Sequence, residues 1–285
     1  LNVHFPKSEA MLVQAHRRLK FEEFFFIQLA MLKLKQHKKE VYLSYPFSKI
    51  GKYFNTFYQE QLPFELTGAQ KRVLKEIRLD VASGKQMNRL VQGDVGSGKT
   101  IVALMAMLMA KDNGFQSCLM APTEILATQH FNGLQEMVEA VGMKMALLTG
   151  STKVARRREI HAALESGALD ILVGTHALLE DKVRYKNLGI AIIDEQHRFG
   201  VSQRSKMWKK NTRPPHVLVM TATPIPRTLA MAVYGDLDIS LIDELPPGRR
   251  PVETTSRPNS MRSKVIKRID EVCLDGQRVY WVCTL

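Results

Sequence analysis

The stretch Leu90-Val-Gln-Gly-Asp-Val-Gly-Ser-Gly-Lys-Thr100 constrains the chain more than any other. Leu90 and Val91 read as the end of a buried strand. Gly93, Gly96 and Gly98 then make a turn that side chains would block. The apolar run from Ile101 to Ala110 is long enough for a helix. Strand, glycine loop and helix follow one another, with Gly93-x-x-x-x-Gly98-Lys99-Thr100 at phosphate-loop spacing. The chemistry accounts for each residue type. Glycines let backbone N–H groups turn inward on phosphate oxygens, and a helix N-terminus adds partial positive charge. A lysine at position 99 reaches the terminal phosphates of a nucleotide, and the Thr100 hydroxyl is a ligand for Mg²⁺. Gly93, Asp94, Val95, Gly96, Ser97, Gly98, Lys99 and Thr100 are therefore candidate ATP-binding positions.

A second run completes that chemistry. Ile190-Ala-Ile-Ile-Asp194-Glu195 is four apolar residues closed by two carboxylates. On a strand, Asp194 ends the buried run where it faces the nucleotide and can hold the metal's shell, with Thr100 as the other metal candidate. Glu195 beside it can orient and polarise a water. With Lys99 these are the candidate catalytic residues, and a second carboxylate suits hydrolysis better than transfer to another substrate. Upstream, Pro63-Phe-Glu-Leu-Thr-Gly-Ala-Gln70 precedes a helical run from Lys71 to Ala82. A glutamine amide can pair bidentately with adenine, and an aromatic such as Phe64 can pack on the base. Thr67 in the same stretch also reads as a plain helix N-cap.

The net charge of +13 exceeds what an ATPase needs and points to a polyanion, with nucleic acid the leading partner. Cys118, Cys273 and Cys283 form no CxxC pair, which argues against a disulfide framework or a zinc site. The N-terminus carries no basic-then-apolar signal pattern, and Ile101–Ala110 is too short to span a bilayer. The reading is a cytoplasmic protein with no membrane partner.

Taken in order, Ser8 is placed to cap a helix running to about Lys39, with Leu12, Leu19, Phe24, Ile27, Met31 and Leu34 at helical spacing. The run Phe24-Phe25-Phe26 reads as core packing. Residues 40–62 read as a loop and short helix. Beyond the loop helix, short apolar runs are predicted as strands over 116–121, 143–149, 170–174, 188–193 and 217–220. Each ends in polar or glycine residues: Pro122-Thr123, Gly150-Ser151, Gly174-Thr175-His176, Asp194-Glu195 and Thr221-Ala-Thr-Pro224. That pattern predicts an α/β doubly wound parallel sheet with ligands at the strand ends. Pro246-Pro-Gly-Arg-Arg-Pro251 reads as a linker. It leads to predicted strands over 252–255 and 278–284 around a helix over about 260–275. The expected division is 1–62, a helical connector; 63–245, the ATP-binding domain; and 246–285, a linker and the start of another α/β domain.

The phosphate loop, Asp194-Glu-Gln-His197 and Thr221-Ala-Thr-Pro224 together look like a superfamily 2 helicase. The longer strings Asp194-Glu-Gln-His-Arg-Phe-Gly-Val-Ser-Gln-Arg204, Thr221-Ala-Thr-Pro-Ile-Pro-Arg-Thr-Leu-Ala230 and Asp243-Glu-Leu-Pro-Pro-Gly248 resemble the RecG family of bacterial ATP-dependent DNA helicases. The transcription-repair coupling factors have a similar motor, but usually show Glu where this chain has Gln196 and an aromatic where it has Ser97. The resemblance spans essentially the whole chain and implies a RecA-like P-loop domain, preceded by a helical connector from a wedge domain and followed by the start of a second RecA-like domain. It assigns Phe64 and Gln70 to adenine recognition. It assigns Pro122, Thr123, Gly174, Thr175 and His176 to the DNA backbone, and Gln196, His197, Thr221 and Thr223 to coupling between γ-phosphate loss and DNA movement. It further implies ATP and Mg²⁺ as cofactors and remodelling of stalled forks and branched DNA, with Holliday-junction formation. A monomer, a nucleoid-associated setting and single-stranded DNA-binding protein as a partner complete what it implies. The later motifs of the second motor domain, including its arginine finger, are not in this chain. The expectation is therefore that this polypeptide alone binds ATP weakly and hydrolyses it slowly, without unwinding DNA.

Overall fold

A computed structural model describes residues 2–194, 210–223, 237–244 and 253–282, without the side chains of 34, 35 and 38–41. The strands are β1 (Asn88–Gly93), β2 (Gln116–Met120), β3 (Met145–Leu148), β4 (Ile171–Gly174), β5 (Leu188–Asp194), β6 (His216–Thr221) and β7 (Asp238–Ile242). Among the described residues they form one seven-stranded sheet in the order β3-β4-β2-β5-β6-β1-β7. All six pairings are parallel. Every carboxyl end therefore opens on the same edge of the sheet, which is where ligands sit in open α/β folds. β7 was not anticipated from sequence. Its Asp-Ile-Ser-Leu-Ile alternation is short, with two polar residues in five, and only pairing with β1 makes a strand of it.

The two faces of the sheet explain the sequence pattern. Val91, Leu119, Val173, Ile190, Ile192, Leu218 and Met220 pack on one side against three helices: α3 (Gly68–Ala82), α4 (Lys99–Asp112) and α5 (Glu124–Ala140). Leu90, Cys118, Leu172, Ala191, Ile193, Val217 and Val219 pack on the other, against α6 (Val154–Ser166) and the segment 177–185. Strands covered on both faces read as unbroken apolar runs, as these do. All ten residues from Ile101 to Ala110 of α4 are buried. That helix is apolar all round because it lies wholly inside. Cys118 belongs to the core, as expected, and burial raises its thiol pKa to about 12, which leaves it unreactive.

Residues 42–62 are built into the same core. Phe47 and Phe57 are fully buried. Asp112, at the end of α4, accepts hydrogen bonds from the backbone N–H groups of Gly51, Tyr53 and Phe54 at 2.8, 2.9 and 3.1 Å. One carboxylate thus satisfies the donors that open the short helix α2 (Lys52–Thr56). At the amino end of the sheet, His216 accepts from Met87 N–H at 3.0 Å and donates to the Tyr45 carbonyl at 2.8 Å. Its ring meets Phe47 edge-on at 4.7 Å. Burial lowers its pKa to about 4, so it is a neutral pin between segment 42–47 and β6. Arg89 ties α3 to β1 and β7 through Glu76, Asp80 and the Ser240 hydroxyl.

The first helix, α1 (Glu9–Val41), starts under the Ser8 side chain, which accepts from Met11 N–H at 3.3 Å. Phe24, Phe25 and Phe26 are 64%, 47% and 63% exposed, so the expected core packing is not found. A lone helix can shield its rings only with neighbours a turn away, and the Phe21–Phe25 stack at 5.6 Å is of that kind.

The chain divides into compact units between Pro247 and Gly248. The second unit carries α7 (Arg262–Leu274), with no buried residue. Glu253–Thr255 and Arg278–Val282 form no strand, contrary to expectation, and residues 252, 283 and 284 of the expected strands lie outside the described residues. A strand needs a neighbour to bond, and none lies among the described residues of this unit. No described helix is long and apolar enough to cross a membrane.

Candidate functional site

The phosphate loop leaves β1 at Gly93 and enters α4 through Gly98. Gly96 and Gly98 have φ of 76° and 85°, the left-handed region that glycine enters without strain. Gly93 is required for a different reason: a Cβ there would lie 2.5 Å from the Ser97 hydroxyl oxygen. Ser97 N–H bonds Asp94 O at 3.1 Å to close the turn. The Ser97 hydroxyl is buried without a hydrogen-bond partner, a polar atom aimed into the loop. The Lys99 ammonium folds back over the turn and donates to Gly93 O at 2.7 Å and Asp94 O at 2.9 Å. Asp94 and Val95 are exposed at the tip, while Thr100 is half-buried in the first turn of α4.

Register sets the second half of the site. Asp194 is level with Met220 on β6, and Met220 is level with Val91 on β1. Asp194 therefore lies two strands from Val91, about 10 Å at two inter-strand spacings, at the edge where the phosphate loop leaves β1 two residues on. Among the described residues no three His, Cys, Asp or Glu side chains converge on a metal position. A hydrated Mg²⁺ keeps several waters and binds through one or two protein ligands plus phosphate oxygens. The Thr100 hydroxyl and the Asp194 carboxylate are the residues that would hold it. When bound, the ion would neutralise charge on the phosphate oxygens. Glu195, Gln196 and His197 lie outside the described residues.

A residue that the sequence reading missed meets Asp194. His130 Nε2 lies 2.6 Å from Asp194 Oδ2, with both side chains 13% exposed. The available signal was a polar residue in the inner stripe of α5, where Ala127, Leu134 and Val138 are buried.

Gln70, a candidate for adenine recognition, is engaged by the protein itself. Its Oε1 accepts from Thr67 N–H at 2.9 Å, the Thr67 hydroxyl accepts from Gln70 N–H, and Gln70 Nε2 donates to Ser97 O at 2.8 Å. The amide is 1% exposed and engaged in a capping box and in bracing the loop. Thr67 is the N-cap, and the glutamine at the third helical position reaches back to it. Phe64 is 43% exposed. The start of α3 is also held from the far end of the sheet. Glu244 accepts from Ala69 N–H at 3.0 Å, and Asp243 pairs with Arg72 at 2.7 Å. That hydrogen bond from Arg72 holds the Asp243 carboxyl below its ordinary pKa.

The candidate DNA-contacting residues gather on the other half of the edge, where β3, β4 and β2 are neighbours. Pro122 and Thr123 follow β2. Thr123 is the N-cap of α5, its oxygen accepting from Leu126 N–H at 3.3 Å. Thr175 and His176 follow β4, half-buried and exposed respectively. Gly174 differs from the rest: it is buried, and a Cβ there would fall 2.1 Å from the Leu148 carbonyl oxygen. Its place is set by close packing of β4 on β3. The Glu124 carboxylate accepts from the Ser151 hydroxyl at 2.8 Å and its N–H at 3.3 Å, which adds the loop after β3 to this group. On the nucleotide half, at the end of β6 between β5 and β1, the Thr221 and Thr223 hydroxyls bond each other at 2.7 Å.

The DEAD/DEAH box helicase family matches residues 67–232, from the Thr67 cap past the Thr221–Thr223 pair. The chain belongs to this family. It is 49% identical to the ATP-dependent DNA helicase RecG of Synechocystis over 98% of its length, covering 33% of that protein. With the RecG of Escherichia coli K12 it shares 47% identity over 95% of its length, covering 39% of that protein. The solved structure of RecG bound to a three-way DNA junction superposes with a TM-score of 0.83 at 42% identity, over 96% of this chain and 37% of that one. The helicase MrfA superposes with a TM-score of 0.59 at 18% identity over 80% of this chain, which shows the fold alone. The chain thus spans little more than a third of these relatives and carries the RecA-like sheet they share. The resemblance read from the motifs holds over nearly the whole chain.

Proposed function

We propose that this chain is the first motor domain of an ATP-dependent DNA helicase that acts on branched DNA, including stalled forks and Holliday junctions, with Mg²⁺ as the metal. The observation that carries the proposal is the common strand edge. A phosphate loop with its lysine lies two strands from a carboxylate, and a row of helix-start hydroxyls and N–H groups lies beside it. The first set suits a triphosphate and the second a sugar-phosphate backbone. The relatives called ATP-dependent DNA helicases and the RecG structure on a three-way junction support the same reading. In it, Lys99 neutralises the terminal phosphates, Thr100 and Asp194 hold the ion, and Glu195 orients the attacking water. Thr221 and Thr223 sit where loss of the γ-phosphate is passed to the nucleic-acid side.

The test is Glu195→Gln in the full-length parent protein. Hydrolysis stimulated by branched DNA should disappear while ATP binding persists. Turnover that survives the substitution would remove Glu195 from its role.

A further inference from the structure

Helix α5 touches both halves of the strand edge. At its start, Thr123 caps the helix and Glu124 holds the loop after β3 through Ser151. Two turns on, His130 meets Asp194 at the end of β5. The geometry on both sides is constrained. Asp194 follows Ile190 and Ile192 on the sheet face that α5 covers. His130 stands in the stripe that Ala127, Leu134 and Val138 press against that face. An imidazole packed among such neighbours has few rotamers, so its N–H is a fixed donor. One carboxylate oxygen, Oδ2, is thereby fixed, and Oδ1 is the oxygen that would be left to hold a metal.

We infer that His130 is a positioning residue: it sets the Asp194 carboxylate for the metal and makes that setting depend on where α5 lies. Nucleic acid gripping the start of α5 then acts on the metal-holding carboxylate through a rigid helix two turns long. This inference rests on the proposed nucleotide and DNA sites and adds the connection between them. Groups that orient a metal-holding side chain typically change metal affinity by about ten- to a hundredfold when removed.

The experiment uses the full-length parent protein with His130→Phe, which keeps a ring but no donor, and His130→Gln, which restores an N–H near the Nε2 position. A fluorescent ATP analogue is titrated with and without Mg²⁺, and hydrolysis is measured with and without a three-way DNA junction. In His130→Phe the half-saturating Mg²⁺ concentration should rise about tenfold. Nucleotide affinity without metal should be unchanged, and the DNA-stimulated kcat should fall more than the basal kcat. His130→Gln should recover most of both. A wild-type Mg²⁺ response and wild-type DNA stimulation in His130→Phe would overturn the assignment. So would equal impairment of the two variants, which marks a packing role. Lys99→Ala, run in parallel, separates the two levels. Lost nucleotide binding there beside a normal His130→Phe overturns only the His130 inference. Unimpaired binding by Lys99→Ala overturns the nucleotide site, and this inference with it.

Discussion

The two halves of the strand edge are built differently. On the β5-β6-β1 half, the working groups are held from several directions. Gln70 braces Ser97, Lys99 bridges two loop carbonyls, and His130 fixes Asp194. On the β3-β4-β2 half, the contacts are helix starts and loop tips: Thr123 as a cap, Ser151 against an exposed Glu124, and His176 in solvent. A triphosphate needs every donor within a fraction of an ångström. A sugar-phosphate backbone that must be released and regripped needs donors of moderate hold. Under the proposed function, the difference in construction matches that difference in task.

Four substitutions or conditions test this contrast in the full-length parent protein. Lys99→Ala should give the largest effect, lowering DNA-stimulated ATP turnover by about a hundredfold to a thousandfold. Binding of a three-way junction without nucleotide should be unchanged, and a matching loss of junction affinity would dissolve the division into halves.

The next effect comes from the opposite end of the sheet. His216 has a folded pKa near 4, below its ordinary 6.5, so the folded state takes up its proton later than the unfolded chain. Its contribution is whole above pH 6.5 and is lost as pH falls from 6.5 to 4, in total about 3 kcal/mol. Denaturant unfolding of the wild type and His216→Phe across that window should diverge in slope. Both halves of the edge should lose function together, because β6 is an interior strand of the one sheet that carries them.

Gly174→Ala is placed to damage one half alone. Its methyl would meet the Leu148 carbonyl, so β3 and β4 must part, at a cost of about 1–3 kcal/mol. Junction affinity should drop while nucleotide binding persists. The smallest effect is Thr123→Ala, which removes a cap worth about 1 kcal/mol. It should weaken junction binding several-fold and flatten its salt dependence slightly, as measured by anisotropy over a salt series.

What was legible beforehand follows the range of the interactions. The phosphate loop is local: three glycines, a lysine and a threonine within eight residues define a turn whatever surrounds it. The strands were visible because a sheet covered on both faces leaves continuous apolar runs, and α4 announced itself by ten buried residues in sequence. β7 escaped because two of its five residues are polar and only its neighbour makes it a strand. The phenylalanines of α1 misled because composition says that a ring is apolar without saying what covers it.

Gln70 and His130 show the limit most clearly. The residue type at position 70 fits both adenine and a capping box, and only the fold brings the Ser97 carbonyl, 27 residues on, against its amide. His130 and Asp194 are 64 residues apart, on a helix and a strand that never adjoin in sequence. The sequence by itself determined the elements, their periodicity and the loop that takes phosphate, because those depend on side chains within a few turns of one another. The tertiary structure decided which carboxylate meets which imidazole and where the two halves of the edge touch. Such contacts depend on strand order and register, which a parallel sheet sets through crossovers that local patterning does not specify.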